Sequence, residues 1–340
     1  MEKRRSSLSE PRAGTLRSRR STRLPPARAK LAWAGVGRGS KEVFVTGRDL
    51  RNNSAMCAAL AGHLRSLVRY ADLYRPEDLR GPGTRAHAEL AHKPPLAHTG
   101  WGERPVAASQ QTLMLRVAAH LDHVIAYAMR VEHDVVTPFA LESIARTAVE
   151  CAARAAWLLD AADAPTRVGR WAGDKIRSFD REREAFWRLR PGEPTPKIDA
   201  LIAGYEAAEQ ATGVTIVKPP PYWQQVRDLL LPGGMAPNPG PWYSMVSAVA
   251  HGEEWGLRMF ASLAEGVDPA AVIGTVDIAQ TDRRVAMGAT YLLSAHEGLI
   301  TRMADLLGHP PGHELWAKEL LAARLAIRPG LPTAPPTGSM

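Results

Sequence analysis

Residues 137–160, TPFALESIARTAVECAARAAWLLD, constrain the fold of this chain more than any other stretch. Thr137 followed by Pro138 is a helix start, because threonine caps free backbone amides and proline has no N–H to leave unpaired at the first helical position. Apolar residues then recur at helical spacing on one face. Six alanines between positions 145 and 156 leave this face without bulk. The stretch therefore predicts a central helix that neighbouring helices can approach closely.

Alternating charges follow one side of this predicted helix. Glu142, Arg146, Glu150 and Arg154 are each separated by four residues. Side chains at that spacing are neighbours on a helix, so each carboxylate can meet a guanidinium. Two interpretations are open. A solvated ladder would stabilise the helix by only ~0.3–0.5 kcal/mol per pair, whereas inward-facing Glu150 and Arg154 would form a polar site.

A partner helix is predicted over residues 242–260, WYSMVSAVAHGEEWGLRMF. Tyr243, Ser247 and His251 are spaced four residues apart and therefore share one side of it. Gly252 in mid-helix would allow a close backbone contact. The histidine is either satisfied by serine or tyrosine inside a helical core or part of a pocket that faces the central helix. The predicted polar site comprises Arg146, Glu150, Arg154, Tyr243, Ser247 and His251.

The remaining sequence predicts further helices and no convincing strand pair. Aromatic residues make up only 6% of the chain and alanine is abundant, which favours close-packed helices over a β-sandwich. We therefore predict an all-α bundle of about eight helices over residues 52–328. Residues 75–107 are expected to form a long loop, and residues 329–340 a disordered Pro-rich tail. Besides residues 137–160 and 242–260, helical periodicity marks residues 53–74, 109–132, 166–189, 195–212, 222–230, 277–307 and 313–327.

The basic character of the chain is concentrated at its N-terminus. Residues 1–51 hold fourteen Lys/Arg and four Asp/Glu, which gives this segment a net charge of +10. The whole chain has a net charge of +8, so the remaining residues carry about −2 and are slightly acidic. A near-neutral body argues against a broad basic surface for nucleic acid. Residues 1–51 are predicted to be a disordered basic arm. This arm is interpreted as a polyanion contact, a solvated tail or an over-extended gene start.

Several classes of function lack their sequence signals. Cys57 and Cys151 form neither a CxxC motif nor a disulfide framework, which indicates a reducing cytoplasm. No apolar run reaches the ~18–20 residues that a membrane span needs, and no signal peptide is visible. The absence of a P-loop and of GxGxxG predicts no cofactor. A metal site was considered at four residues but is not predicted, because no HExxH or Glu-x-x-His pair supports it: His120, His123, His296 and Glu297.

The segments RTAVECAARAAWLLD and YSMVSAVAHG, about a hundred residues apart, resemble a set of actinobacterial helical proteins. These are distantly similar to the higher-eukaryote-and-prokaryote nucleotide-binding (HEPN) superfamily. The resemblance covers residues 137–260 and implies a helical bundle. It also implies a metal-independent ribonuclease of defence or toxin systems, often dimeric. The superfamily signature is an arginine, usually a polar residue after it, four to six further residues and then a histidine. Upstream of His251 this chain has Ser244, Met245 and Val246 at the arginine position instead. The spacing occurs elsewhere at Arg80/His87, Arg85/His92, Arg116/His123 and Arg302/His309, and of these only Arg116/His123 lies inside a predicted helix.

The sequence thus leaves two functions open. The first is a binding or regulatory module whose polar site lies inside the bundle. The alternative is a HEPN-like ribonuclease acting on RNA. RNA or a protein is the expected partner, with a homodimer as the expected assembly and no membrane association.

Overall fold

The computed structural model describes residues 55–71, 82–91, 100–132, 138–231, 239–253, 255, 279–309 and 312–328. All of them fall within one compact unit, Gly47–Met340. This part of the chain is built of helices without a β-strand, so the predicted all-α fold is confirmed. None of the described helices is long and apolar enough to cross a lipid bilayer.

Ten helices are assigned in the described residues, where about eight were predicted. The short helix α2 lies in the stretch that was expected to be a loop, so that prediction was wrong for these residues. The helices are α1 (Ala55–Ala71), α2 (Arg85–Leu90), α3 (Pro105–Glu132), α4 (Pro138–Leu159), α5 (Ala164–Leu189), α6 (Pro196–Thr212), α7 (Tyr222–Leu230), α8 (Pro239–Ala250), α9 (Ala279–Leu307) and α10 (His313–Ile327).

The ends of α6 and α10 follow the sequence signals closely. Gly213 stops α6 with a φ of +70°, a left-handed conformation that glycine adopts without steric cost. α10 spans the predicted residues 313–327. Thr137, the predicted cap of α4, lies outside the described residues.

The central position of α4 follows from its small face. The six alanines between positions 145 and 156 are each at most 2% exposed. They let α4 pack against α3, α7, α8 and α9, and it also contacts α5. Because the alanine side chains are small, the backbones of several helices come close to α4 and make many dispersion contacts with it.

A buried ion pair fixes α2 to the bundle. The Arg167 guanidinium is fully buried and donates to both Glu89 carboxylate oxygens, from Nε at 3.1 Å and from Nη2 at 2.9 Å. Its Nη1 also donates to the carbonyl of Leu158 at 2.8 Å. Arg167 therefore joins α2 to the end of α4. The two partners are 78 residues apart in sequence, so no local pattern could have identified them.

Two glycines of α5 allow the connection between α6 and α7 to lie directly on that helix. The Val217 amide donates to the carbonyl of Gly169 at 3.1 Å. A Cβ atom at Gly169 would overlap the carbonyl of Thr215, and one at Gly173 would overlap the carbonyl of Val217. Because both obstacles are backbone atoms, no side-chain rotation can relieve the overlap. This contact positions the start of α7, where Tyr222 lies.

Substitution of Gly173 by alanine is expected to lower the free energy of unfolding by about 1–3 kcal/mol, because the added methyl group must displace backbone. Chemical denaturation measures this loss. Gly62→Ala in α1 is the matched control, since a Cβ there has no neighbour within 4 Å. The control should gain up to ~1 kcal/mol from helix propensity. Equal effects of the two substitutions would contradict the close packing on α5.

Candidate functional site at an arginine–tyrosine seam

Three of the predicted polar residues meet where α4 contacts α8. Arg146 Nε donates to Glu150 Oε1 at 2.8 Å. The Tyr243 hydroxyl donates to the same oxygen at 2.7 Å, and the Arg146 guanidinium lies 5.6 Å from the Tyr243 ring centroid. Burial, together with this hydrogen bond, raises the pKa of Tyr243 to about 12. The phenol therefore remains a neutral donor that holds Glu150 in place.

Arg154 lies one turn further along α4 and faces different partners. Its Nη2 donates to Asp174 of α5 at 3.3 Å. Asp174 is 6% exposed and also pairs with Arg116 of α3. Arg116 in turn donates to the main-chain carbonyl of Arg154 at 3.1 Å. One buried carboxylate thus fixes two guanidinium groups that come from two different helices.

Tyr222, the first residue of α7, is surrounded by three guanidinium groups. Those of Arg154, Arg177 and Arg181 lie 5.3, 5.2 and 5.1 Å from its ring centroid. Arg181 Nη1 also donates to the Tyr222 hydroxyl at 2.8 Å. Cation–π contacts of this kind stabilise by about 0.5–2 kcal/mol each, depending on exposure. The ring therefore aligns positive charges that would otherwise repel one another.

These residues lie on α4 and on the helices that contact it, and we name the group the arginine–tyrosine seam. Its five arginines outnumber its two carboxylates, so the seam keeps a net positive charge. The Arg154 side chain is 34% exposed, and Arg181 is exposed, so solvent reaches the seam from this end. The seam comprises Arg116, Arg146, Glu150, Arg154, Asp174, Arg177, Arg181, Tyr222 and Tyr243.

The ladder on α4 is buried at one end and open at the other. The Arg146 and Glu150 side chains are 14% and 19% exposed, whereas Glu142 is 2% exposed. Burial raises the pKa of Glu142 to about 8, against the opposing effect of the nearby Arg284 charge. Glu142 therefore belongs to the core, and the interpretation of a uniformly solvated ladder does not fit these positions.

The predicted partner helix is shorter than expected, and His251 follows its last residue. α8 ends at Ala250 rather than at Phe260. Gly252 has a φ of +69°, and the Glu253 amide donates to the Ala248 carbonyl at 2.8 Å. This is a glycine-terminated helix end, so Gly252 stops the helix instead of admitting a neighbouring backbone.

His251 is exposed at this end, and Ser247 is partly buried. Among the described residues, no hydrogen bond joins the His251 imidazole to Ser247, Glu150 or Arg154. The hydrogen bonds of the described residues therefore join Arg146, Glu150 and Tyr243 to one another but do not include His251. The end of α8 could not be predicted, because a glycine after His251 is equally compatible with a small residue in the helix interior and with a helix terminator.

Two of the histidines considered for a metal site do meet, deep in the core. His120 Nδ1 donates to the carbonyl of Ala148 at 2.9 Å, so its Nε2 accepts from His296 Nδ1 at 3.1 Å. His123 instead bonds its own helix backbone, and Glu297 pairs with Arg324. No group of three or more potential metal ligands occurs within the described residues. The histidine pair is therefore a neutral hydrogen-bonded unit.

The Arg/His spacings typical of HEPN ribonucleases do not form a shared pair in the described residues. In α3, Arg116 pairs with Asp174, whereas the His123 Nδ1 donates to its own helix backbone at 2.7 Å. At the end of α9, Arg302 donates to Asp160 at 2.8 Å. Each of the two other spacings includes a residue outside the described part of the chain, and these are Arg80/His87 and Arg85/His92.

The sequence identified the α4 half of the seam but missed the α5 and α7 half. Asp174 was not singled out because its partners lie 58 and 20 residues away. The arginines of α5 alternate with acidic residues, a pattern that is equally typical of a solvated helix face. A usable signal was present at Tyr222, which directly follows three prolines and begins a short helix. Such a rigid approach presents the first helical side chain in a defined direction.

No protein-family model, no curated protein and no solved structure matches this chain.

Proposed function

We propose that this protein is a binding module whose arginine–tyrosine seam holds an anionic, phosphate-bearing ligand. The observation that carries the proposal is the set of guanidinium groups fixed around Tyr222. Arg154, Arg177 and Arg181 all lie within 5.3 Å of its ring centroid. Planar guanidinium groups recognise phosphate through paired hydrogen bonds, and their alignment beforehand lowers the entropic cost of binding.

Fixed positions of these arginines support this proposal further. Arg177 Nη1 donates to the carbonyls of Pro219 and Pro220 at 3.0 and 2.9 Å. Arg154 is held by Asp174 at 3.3 Å. Each guanidinium carries five N–H donors, so these contacts leave donors available while they define the orientation. Asp174 and Glu150 offset part of the charge, which favours a ligand with localised negative charge.

Binding of a fluorescently labelled single-stranded RNA oligonucleotide tests the proposal, with inorganic pyrophosphate as competitor. Arg154→Ala and Arg181→Ala should each weaken binding about three- to tenfold. Arg190→Ala is the matched control, because Arg190 pairs with Glu193 on an exposed surface outside the seam. Residues 1–51 are present in every variant, so their contribution to RNA binding cancels. Equal affinities of all variants would remove the seam as the ligand site.

The ribonuclease alternative is tested in the same incubation. A binding module leaves the RNA intact, whereas a HEPN-like enzyme cuts it without added metal. If cutting occurs, His123→Ala and His251→Ala should be assayed, because these residues were the sequence-based candidates. Cleavage that both variants retain would place any activity at other residues. HEPN kinship, dimer formation and a cytoplasmic location stay predictions from the sequence.

A further inference from the structure

A polar cleft that is separate from the seam lies between the end of α4, the start of α5 and α7. Its volume is about 260 Å³, which is slightly below the ~300–1,000 Å³ of sites for drug-sized ligands. Ala153 and Ala156 form an apolar wall, and Trp157 and Leu229 extend it. The cleft therefore suits a small metabolite rather than a polymer, and it uses none of the seam residues.

The side-chain carbonyl oxygen of a buried glutamine in this cleft has no hydrogen-bond donor among the described residues. Gln225 is 4% exposed, and its Nε2 donates to the carbonyl of Pro220 at 2.6 Å. Because a carbonyl only accepts, this bond fixes which end of the amide carries oxygen. Oε1 has no hydrogen-bond partner among the described residues. An unsatisfied buried acceptor costs about 1–3 kcal/mol, so a ligand N–H at this position would recover that cost.

Charges of both signs line the same cleft. Arg170 is positioned by a hydrogen bond to the Trp157 carbonyl, with its guanidinium 5.6 Å from the Trp157 ring centroid. The carboxylates of Asp160 and Asp228 also line it. Arg302 and Arg227 bind one oxygen of each, at 2.8 and 2.9 Å. Each carboxylate therefore retains acceptor capacity.

We propose that this cleft binds a free α-amino acid. The ligand carboxylate would pair with Arg170, and its ammonium group would lie between Asp228 and Asp160. Its side chain would contact the alanine wall, and an N–H of the ligand would donate to Gln225 Oε1. A zwitterion uses the guanidinium and the carboxylates together. A plain cation would leave Arg170 without a partner, and a plain anion would leave the remaining oxygens of the two carboxylates without a donor.

Thermal unfolding of the full-length protein with ligands at millimolar concentration tests this proposal, followed by calorimetric titration. The probes are L-glutamine, L-leucine, putrescine as a cation and succinate as an anion. At least one amino acid should raise Tm, since a ligand that binds only the folded state stabilises it. Putrescine and succinate should have no effect. No shift with either amino acid, or an equal shift with putrescine or succinate, would overturn the proposal.

Three variants then locate the binding. Arg170→Met, Gln225→Leu and Asp228→Asn should each weaken amino-acid binding at least tenfold. Asp228 has a half-exposed side chain, so Asp228→Asn folds even where a buried substitution does not. Arg190→Ala is the control and should bind the amino acid as the unaltered protein does, because Arg190 pairs with Glu193 on an exposed surface outside the cleft. Unchanged affinity in Asp228→Asn and in any other cleft variant that folds would overturn the assignment.

Discussion

Arg167→Ala is expected to lower the free energy of unfolding by about 3–5 kcal/mol, because it leaves the Glu89 carboxylate buried without its main partner. Arg167 is fully buried and supplies two of the hydrogen bonds to Glu89. Arg85 also reaches Glu89, at 3.2 Å, but its side chain is 36% exposed. It therefore compensates only part of the loss. Urea denaturation at neutral pH measures the effect.

Two controls separate charge burial from the loss of a large side chain. Arg190→Ala removes an arginine whose pair with Glu193 is exposed, and we expect a change below about 0.5 kcal/mol. The double variant Arg167→Met/Glu89→Leu removes both charges and should recover most of the lost stability. If the double variant were as unstable as Arg167→Ala, the ion pair would not be the cause.

Acidification below pH 6.5 is expected to destabilise the fold through the histidine pair. Burial lowers the pKa of His120 to about 4 and the pKa of His296 well below its ordinary value. Above pH 6.5 both imidazoles are neutral in the folded and the unfolded chain. Between 6.5 and about 4 only the unfolded chain takes up protons. Each histidine therefore costs about 1.4 kcal/mol per pH unit in this window.

The pH dependence of stability must be compared between variants, because Glu142 acts in the opposite direction. The pKa of its buried carboxyl is raised to about 8, so its contribution falls as pH rises. This contribution is common to all histidine variants. His296→Phe should reduce the slope of unfolding free energy against pH by about one proton between pH 6.5 and about 4, because one of the two buried imidazoles is removed. The same slope in His296→Phe and in the unaltered protein would contradict a neutral buried pair.

Local signals were enough to predict most of the fold. Proline starts, glycine stops and helical periodicity are short-range features, and they gave α6, α7 and α10 nearly residue by residue. α2 was missed because six residues are too few for a periodic pattern. Its stability comes from Glu89 and a distant arginine. α8 was overextended because its terminating glycine was interpreted as an interior residue.

Only the part of the candidate site on α4 and α8 could be predicted from the sequence, because the remaining residues come from other helices. The spacing of Arg146, Glu150 and Arg154 on α4 is visible in the sequence, and so is that of Tyr243 on α8. The contact of Arg154 with Asp174 and Tyr222 depends on how α5 and α7 pack. That packing rests on glycines of α5 that admit a crossing backbone. Contacts between helices that are distant in the chain produce no periodic pattern in the sequence.

We propose that arginines of the seam contact the phosphates of an anionic ligand. The most direct test is the salt dependence of RNA binding by the full-length protein. For a single strand, log K falls with log salt by about 0.7 for each phosphate neutralised. Arg154→Ala should reduce this slope by about 0.7, and Arg190→Ala should leave it at the value of the unaltered protein. The same slope for all three proteins would contradict the claim.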